Sequence, residues 1–143
     1  MINLSSGDLF ELPAMSEKRK CCGVAYIEST RTLFVIGGED IDGKSTDSVE
    51  KYFYTDIIIR LIQSVNDVHL FRINFVENQW RMSRKMHDKR RSFGVVVSDN
   101  KIYVAGGKYK HFYQNSLEAF DLKTGLWKLK SSMQISRSSF AVL

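Results

Sequence analysis

The sequence predicts an all-β protein built from repeated four-stranded units. Three observations support this fold class. Short segments of apolar and β-branched residues alternate with turn residues, the same markers recur along the chain, and no segment shows a long helical pattern. At 143 residues, the chain is long enough for about one domain with a substantial hydrophobic core.

A methionine followed four positions later by an arginine marks the start of each repeated unit. The second and third methionines are 47 residues apart, whereas the first and second are 71 residues apart. Periods of 20–50 residues are typical of repeat architectures. The units are therefore predicted at about 15–85 and 86–132, with a truncated unit at 133–143. The marker pairs are Met15 with Arg19, Met86 with Arg90, and Met133 with Arg137.

Each complete unit is predicted to contain four strands. Apolar runs place the first two strands at 23–27 and 33–36 in the first unit, and at 94–97 and 102–105 in the second. The alternating segment 116–121 and the segment around Trp127 supply two more. The second strand ends in a double glycine in both units, which allows positive φ or a close backbone approach. The aromatic residues expected in the core are Trp80, Tyr103, Phe120 and Trp127.

The first unit is 24 residues longer than the second, and the excess lies between Gly38 and Trp80. Two segments there qualify as the third strand. Residues 48–53 match by their distance from Gly38, and residues 67–75 match by their distance from Trp80. We interpret the segment near 53–66 as an insertion between strands or as an artefact of gene prediction.

The ordered set of these markers resembles the kelch repeat. The matching features are the double glycine, an aromatic and acidic third strand, a tight turn, and a tryptophan six residues before the next methionine. The resemblance covers about residues 9–143 and implies an incomplete kelch-type β-propeller of about two blades plus part of a third. Propellers close with about four to eight blades. We therefore expect a piece of a longer protein, with closure by self-association as the alternative.

The sequence predicts no enzyme. It lacks the phosphate-binding loop, the dinucleotide-binding glycine pattern, the nucleophile elbow and the zinc-protease motif. Its three histidines are scattered, so neither a metal site nor a cofactor is expected. The resemblance leaves a copper oxidase as a rival, because some kelch propellers carry that chemistry, but clustered ligands for copper are not recognisable. The adjacent Cys21 and Cys22 are interpreted as small apolar residues in a strand.

The charge pattern allows acidic partners without requiring nucleic acid. The formal net charge is +5, and the stretch 81–91 holds six cations against one aspartate. Because few aromatic residues accompany these cations, we expect no nucleic-acid interface. No apolar run is long enough to span a membrane, and the first residues do not resemble a signal peptide. The expected setting is cytoplasmic.

The resemblance places the candidate partner-binding residues in two sets of loops. The loop before each first strand leads toward the propeller channel, on a face where kelch proteins bind partners. Guanidinium groups recurring there would suit an acidic or phosphorylated peptide, because arginine holds such groups through paired hydrogen bonds. The candidates in this loop are Arg19, Lys20, Arg90, Arg91, Arg137 and Ser138. Those in the loop after the second double glycine are Tyr109, His111 and Tyr113.

The resemblance implies a non-enzymatic protein–protein interaction module. Kelch-like proteins of this type act as substrate-recognition subunits of cullin-based ubiquitin ligases, in which a separate BTB domain binds the cullin. No BTB domain is recognisable in these residues, so a cullin is expected as a partner only through a longer parent protein. The alternative is a cytoskeletal kelch protein that binds actin, whose acidic surface a positive chain could meet.

Overall fold

In a computed structural model, residues 12–53 and 79–141 are described. They form two antiparallel four-stranded sheets and one two-stranded hairpin, so the predicted all-β fold is confirmed as two adjacent blades of an incomplete propeller. The boundaries of the repeated units stay predictions. Within the described ranges, no helix is long and apolar enough to cross a membrane.

Blade 1 is a meander of four strands in chain order. The strands are β1 (Gly23–Ile27), β2 (Thr32–Ile36), β3 (Val49–Phe53) and β4 (Trp80–Met82). A short 3-10 turn over Glu28–Thr30 joins β1 to β2. The first candidate for the third strand is thus β3. The second candidate, at 67–75, and most of the insertion lie outside the described residues.

Blade 2 repeats this meander and carries an additional hairpin. Its four strands are β5 (Gly94–Ser98), β6 (Lys101–Ala105), β9 (Leu117–Asp121) and β10 (Leu126–Lys130). The hairpin, β7 (Lys108–Tyr109) with β8 (Phe112–Tyr113), lies between β6 and β9 in the chain. Asp99 and Asn100 both have positive φ, as a two-residue turn between twisted strands requires.

The hydrophobic core lies between the two blades. The Phe34 and Phe120 rings meet there with centroids 5.7 Å apart, and β1 lies beside β5. Burying a side chain of this kind stabilises a fold by about 1.5–3 kcal/mol. Phe120 and Trp127 are buried as predicted, whereas Trp80 and Tyr103 are only half-buried. The buried residues that form this core cluster are Ala25, Ile27, Phe34, Ile36 and Val49 from blade 1, and Ile102, Val104, Phe120 and Trp127 from blade 2, together with Met86.

The double glycines allow the backbone to pass close to the preceding loop. Gly38 and Gly107 have φ of 103° and 102°. A Cβ on Gly38 would lie 2.7 Å from the carbonyl oxygen of Lys20, and one on Gly107 would lie 2.8 Å from that of Arg91. Both effects expected from the sequence, positive φ and close approach, are therefore confirmed.

The prediction that Cys21 and Cys22 lie in a strand is wrong. β1 begins only at Gly23, and Cys21 is an exposed residue with a φ of 52°. Ser92 and Ser139 also have positive φ and occupy the equivalent positions in the next two units. Backbone hydrogen bonds between these positions link successive units. Ser92 N donates to Cys21 O at 3.0 Å, and Ser139 N donates to Ser92 O at 2.7 Å.

Candidate functional site

All the predicted site residues lie at one end of the two sheets. Because neighbouring strands are antiparallel, the starts of β1 and β5 meet the ends of β2 and β6 at this end. We call it the double-glycine end. It is formed by the loops 14–22, 37–48, 83–93, 106–116 and 131–141.

The Arg90 side chain lies inside blade 2, with a relative exposure of 0%. Its Nη1 donates to the carbonyl oxygens of Gly106, at 2.8 Å, and Ser116, at 3.2 Å. Its Nη2 donates to Glu118 Oε1 at 2.7 Å and to Asp88 Oδ2 at 3.1 Å. The guanidinium therefore joins three segments of the blade and is not available to a partner.

Arg19 occupies the equivalent place in blade 1, where its side chain is 1% exposed. Its Nη1 donates to the carbonyl oxygens of Gly37 and Ser48, both at 3.1 Å. Its Nη2 donates to Glu50 Oε1 at 2.7 Å and to Glu17 Oε2 at 2.9 Å. These four contacts of Arg90 thus have counterparts one repeat earlier, whereas the further bond from Arg90 Nη2 to Ser116 Oγ, at 3.0 Å, is specific to blade 2.

The glutamates that pair with these arginines are themselves held by backbone amides. Ser16 N donates to Glu50 at 2.8 Å, and His87 N donates to Glu118 at the same distance. Burial raises the pKa of Glu50, but hydrogen bonds from the Ser16 hydroxyl and amide and from Arg19 outweigh it. The pKa of this carboxyl therefore lies below its usual value.

These contacts correct the interpretation of Arg19 and Arg90 as partner-binding residues. The recurrence of an arginine after each methionine reflects internal packing, because each guanidinium is enclosed by its own blade. A signal for this was present in the sequence: a Ser-x-Glu pattern recurs at Ser48 and Ser116, shortly after each double glycine. An arginine and a glutamate recurring together favour an internal ion pair.

Lys20 and Arg91 instead converge on one carboxylate between the blades. Lys20 Nζ lies 3.0 Å from Glu39 Oε1, and Arg91 pairs with Glu39 Oε2. Glu39 is 6% exposed, whereas the Arg91 side chain is 29% exposed. Since one carboxylate faces two cations, this junction keeps a net positive charge.

The remaining predicted residues are accessible. Arg137 is exposed, with its guanidinium 5.7 Å from the Phe140 ring centre, and Ser138 beside it is half-buried. Tyr109, His111 and Tyr113 are all exposed on or beside the β7–β8 hairpin. Lys108 Nζ lies 4.5 Å above the Tyr113 ring, and Lys110 Nζ lies 5.5 Å from the Tyr109 ring centre.

A cleft of about 290 Å³ opens at the double-glycine end between the blade 1 loop and the β7–β8 hairpin. We call it the interblade cleft. The sequence predicts two of its lining residues, Arg91 and Tyr109, as partner-binding candidates, but it does not predict that side chains from three separate loops come together here. The lining residues are Gly43, Lys44, Ser45, Lys89, Arg91, Tyr109 and Lys110. Among the described residues, no group of three His, Cys, Asp or Glu side chains is arranged to hold a metal ion.

The sequence of this chain is similar to those of known proteins. The Kelch motif model matches residues 89–134. An F-box/kelch-repeat protein of Arabidopsis thaliana is 43% identical over 49 residues, which are 34% of this chain and 18% of that protein. A second F-box/kelch-repeat protein of the same organism is 29% identical over 136 residues, covering 91% of this chain. That match spans 29% of the second relative, so the chain corresponds to less than a third of either relative's length.

Kelch-repeat proteins are generally interaction modules without enzymatic activity. Residues 89–134 carry a kelch motif, the chain is similar to kelch-repeat proteins over most of its length, and kelch repeats imply a protein–protein interaction module.

Proposed function

We propose that this chain recognises protein substrates for a cullin-based ubiquitin ligase and binds them at the double-glycine end. The observation that carries the proposal is the exposed interblade cleft, which combines four cations with a tyrosine on a rigid scaffold. Arginine and tyrosine are enriched in protein interfaces. Several loops that converge on one face of a sheet scaffold are a common arrangement for recognition.

The buried arginines support this proposal by fixing the loops. Arg19 and Arg90 each join the loop before the first strand to the end of the second strand and to the third strand. Side chains on loops held in this way lose less conformational freedom when a partner binds. The double-glycine end can therefore present its contact residues in a preorganised arrangement.

The ligase part of the proposal is supported by the names of the relatives, both F-box/kelch-repeat proteins. In this proposal a separate F-box or BTB domain of the full protein connects the blades to the cullin. The kelch blades then contribute substrate recognition, and their setting is the cytoplasm.

The test is affinity purification of the full natural protein, followed by quantitative mass spectrometry of the proteins retained. The proposal predicts a cullin together with other proteins. Recovery of other proteins without a cullin would contradict the ligase role and leave an interaction module. Pelleting of the protein with actin filaments at low salt, lost at high salt, would favour the cytoskeletal alternative instead.

A further inference from the structure

We propose that the interblade cleft binds a phosphorylated serine or threonine side chain of the partner. This inference deepens the proposed function, because it rests on the partner being a protein. It concerns the residues Lys44, Ser45, Lys89, Arg91, Tyr109 and Lys110.

The cleft has an excess of positive charge that nearby carboxylates do not neutralise. Within the described part of the chain, no carboxylate oxygen lies within 4.0 Å of the ammonium groups of Lys89 or Lys110. Lys44 has one contact, at 4.0 Å to Asp42, and both side chains of that pair are exposed. Exposed pairs of this kind contribute little, so Lys44 is free to turn toward a ligand.

Arg91 is the fixed cation of the cleft. Its carboxylate partner Glu39 is nearly buried, and Lys20 shares that carboxylate from the other side. A guanidinium has five N–H donors, so a pair with one carboxylate leaves donors for a ligand. Arg91 therefore adds a preoriented donor to the ammonium groups of three exposed lysines.

The walls of the cleft are connected through the backbone. Arg91 N donates to Lys108 O at 3.0 Å, and Lys108 N donates to Arg91 O at 2.9 Å. Ser45 Oγ donates to the same Lys108 carbonyl at 3.4 Å, which links the blade 1 loop to the hairpin. The position of the cations relative to the Tyr109 wall is thus set by the fold.

The size and charge of the cleft favour a phosphoryl group over a carboxylate. At about 290 Å³ the cleft is near the lower limit for ligand pockets, which suits a single side chain. A phosphorylated side chain carries up to two negative charges and three strong acceptor oxygens, so it can engage several cations together. Recognition of phosphorylated motifs by clustered cations is an established mode of peptide binding. A single-stranded nucleic acid would need a series of stacking rings, whereas Tyr109 is the one aromatic residue among those lining the cleft.

The probe for the test is N-acetyl-phosphoserine methylamide, titrated into the ¹⁵N-labelled full chain and followed by NMR. The expected result is concentration-dependent shifts of the amides of Ser45, Lys89 and Tyr109. N-acetylserine methylamide should leave these amides unshifted. Equal shifts with both compounds would overturn the proposal.

Two variants localise the binding. Reversing two of the four cleft cations in Lys44→Glu/Lys89→Glu should weaken phosphoserine binding by about tenfold or more. The matched control Lys128→Glu reverses an exposed lysine on β10 that does not line the cleft and should change binding less than about twofold. Circular dichroism checks that each variant is folded. Unchanged affinity in the folded double variant overturns the site.

Two further arms separate this inference from the proposed function. A ten-nucleotide single strand that shifts the same amides at lower concentration than the phosphoserine probe would overturn the phosphopeptide class. Full-length protein that retains its partners when they are dephosphorylated would overturn the cleft proposal alone. Protein that retains no partner in either state would overturn the proposed function.

Discussion

Arg19 and Arg90 each donate a hydrogen bond of 2.7 Å to a buried glutamate on the third strand of their own blade, Glu50 and Glu118 respectively. The two arginines also have equivalent backbone partners, the carbonyl oxygens of Gly37 and Ser48 for Arg19 and those of Gly106 and Ser116 for Arg90. A guanidinium inside a sheet is tolerable when every charge is paired and hydrogen-bonded. The repeat therefore carries an internal polar cluster, and our proposal assigns recognition to the cations around it.

Removing one member of such a pair should be strongly destabilising. We expect Arg90→Ala to lower the free energy of unfolding by about 3–5 kcal/mol, because Glu118 would remain buried without its partner. Arg90→Lys should recover only part of the loss, since an ammonium cannot reproduce the planar set of donors. Urea denaturation measures the effect. The control Arg84→Ala removes an exposed arginine and should stay within about 0.5 kcal/mol of the wild type. A loss from Arg90→Ala as small as that of the control would contradict the structural role.

The lowered pKa of Glu50 predicts a specific dependence of stability on pH. A carboxyl with a depressed folded-state pKa contributes its full stabilisation above the unfolded-state value of about 4.3. That stabilisation is lost as the pH falls through the lower pKa of the folded state. Glu50→Gln should be less stable than the wild type at pH 7, and the difference should shrink on acidification. The exposed Glu28→Gln serves as the control in unfolding measurements from pH 7 to pH 3; identical profiles for the three proteins would refute the prediction.

The second glycine of each pair should not tolerate a side chain. Gly107→Ala combines a φ of 102° with a Cβ 2.8 Å from the Arg91 carbonyl oxygen. Gly125 has a φ of 68° and no atom within 4 Å of an added Cβ, so it isolates the backbone effect. We expect Gly125→Ala to destabilise by about 1 kcal/mol and Gly107→Ala by at least about twice as much. Similar melting temperatures for the two variants would show that the close approach does not restrict position 107.

The adjacent cysteines should differ in reactivity. Cys21 is exposed, whereas burial raises the pKa of the half-buried Cys22 thiol and lowers its thiolate fraction at neutral pH. Alkylation by iodoacetamide at pH 7.5, followed by peptide mass spectrometry, should modify Cys21 first. Cys21→Ser provides the control, because its remaining thiol should react slowly. Faster labelling of Cys22 than of Cys21 in the folded chain would be contrary to the structure.

Local sequence signals predicted most of the strands and turns but not the β7–β8 hairpin. Alternation and β-branched residues identified β1, β2, β5, β6 and β9, whereas the segment that forms β3 was one of two that the spacing left open. The double glycines were informative because positive φ is a local backbone requirement. The boundary at Cys21 was misjudged, since a left-handed residue other than glycine leaves no comparable signal.

The orientation of the basic residues could not be read from their spacing. Lys89, Arg90 and Arg91 are consecutive and cationic, yet Arg90 is buried whereas Lys89 and Arg91 line the interblade cleft. The inward direction of the Arg90 side chain depends on its bond to Glu118, which is 28 residues further along the chain. The cleft itself depends on how the blades pack, so the sequence did not predict that its lining residues come together.

The most direct test compares the proteins retained by three full-length forms of the natural protein: wild type, Lys44→Glu/Lys89→Glu and Lys128→Glu. Quantitative affinity purification measures each retained protein relative to the wild type. If partners bind at the double-glycine end, the wild type and Lys128→Glu will retain the same partners in similar amounts. The cleft variant will retain each partner in an amount lower by about tenfold or more. Equal retention by all three forms would contradict recognition through the interblade cleft.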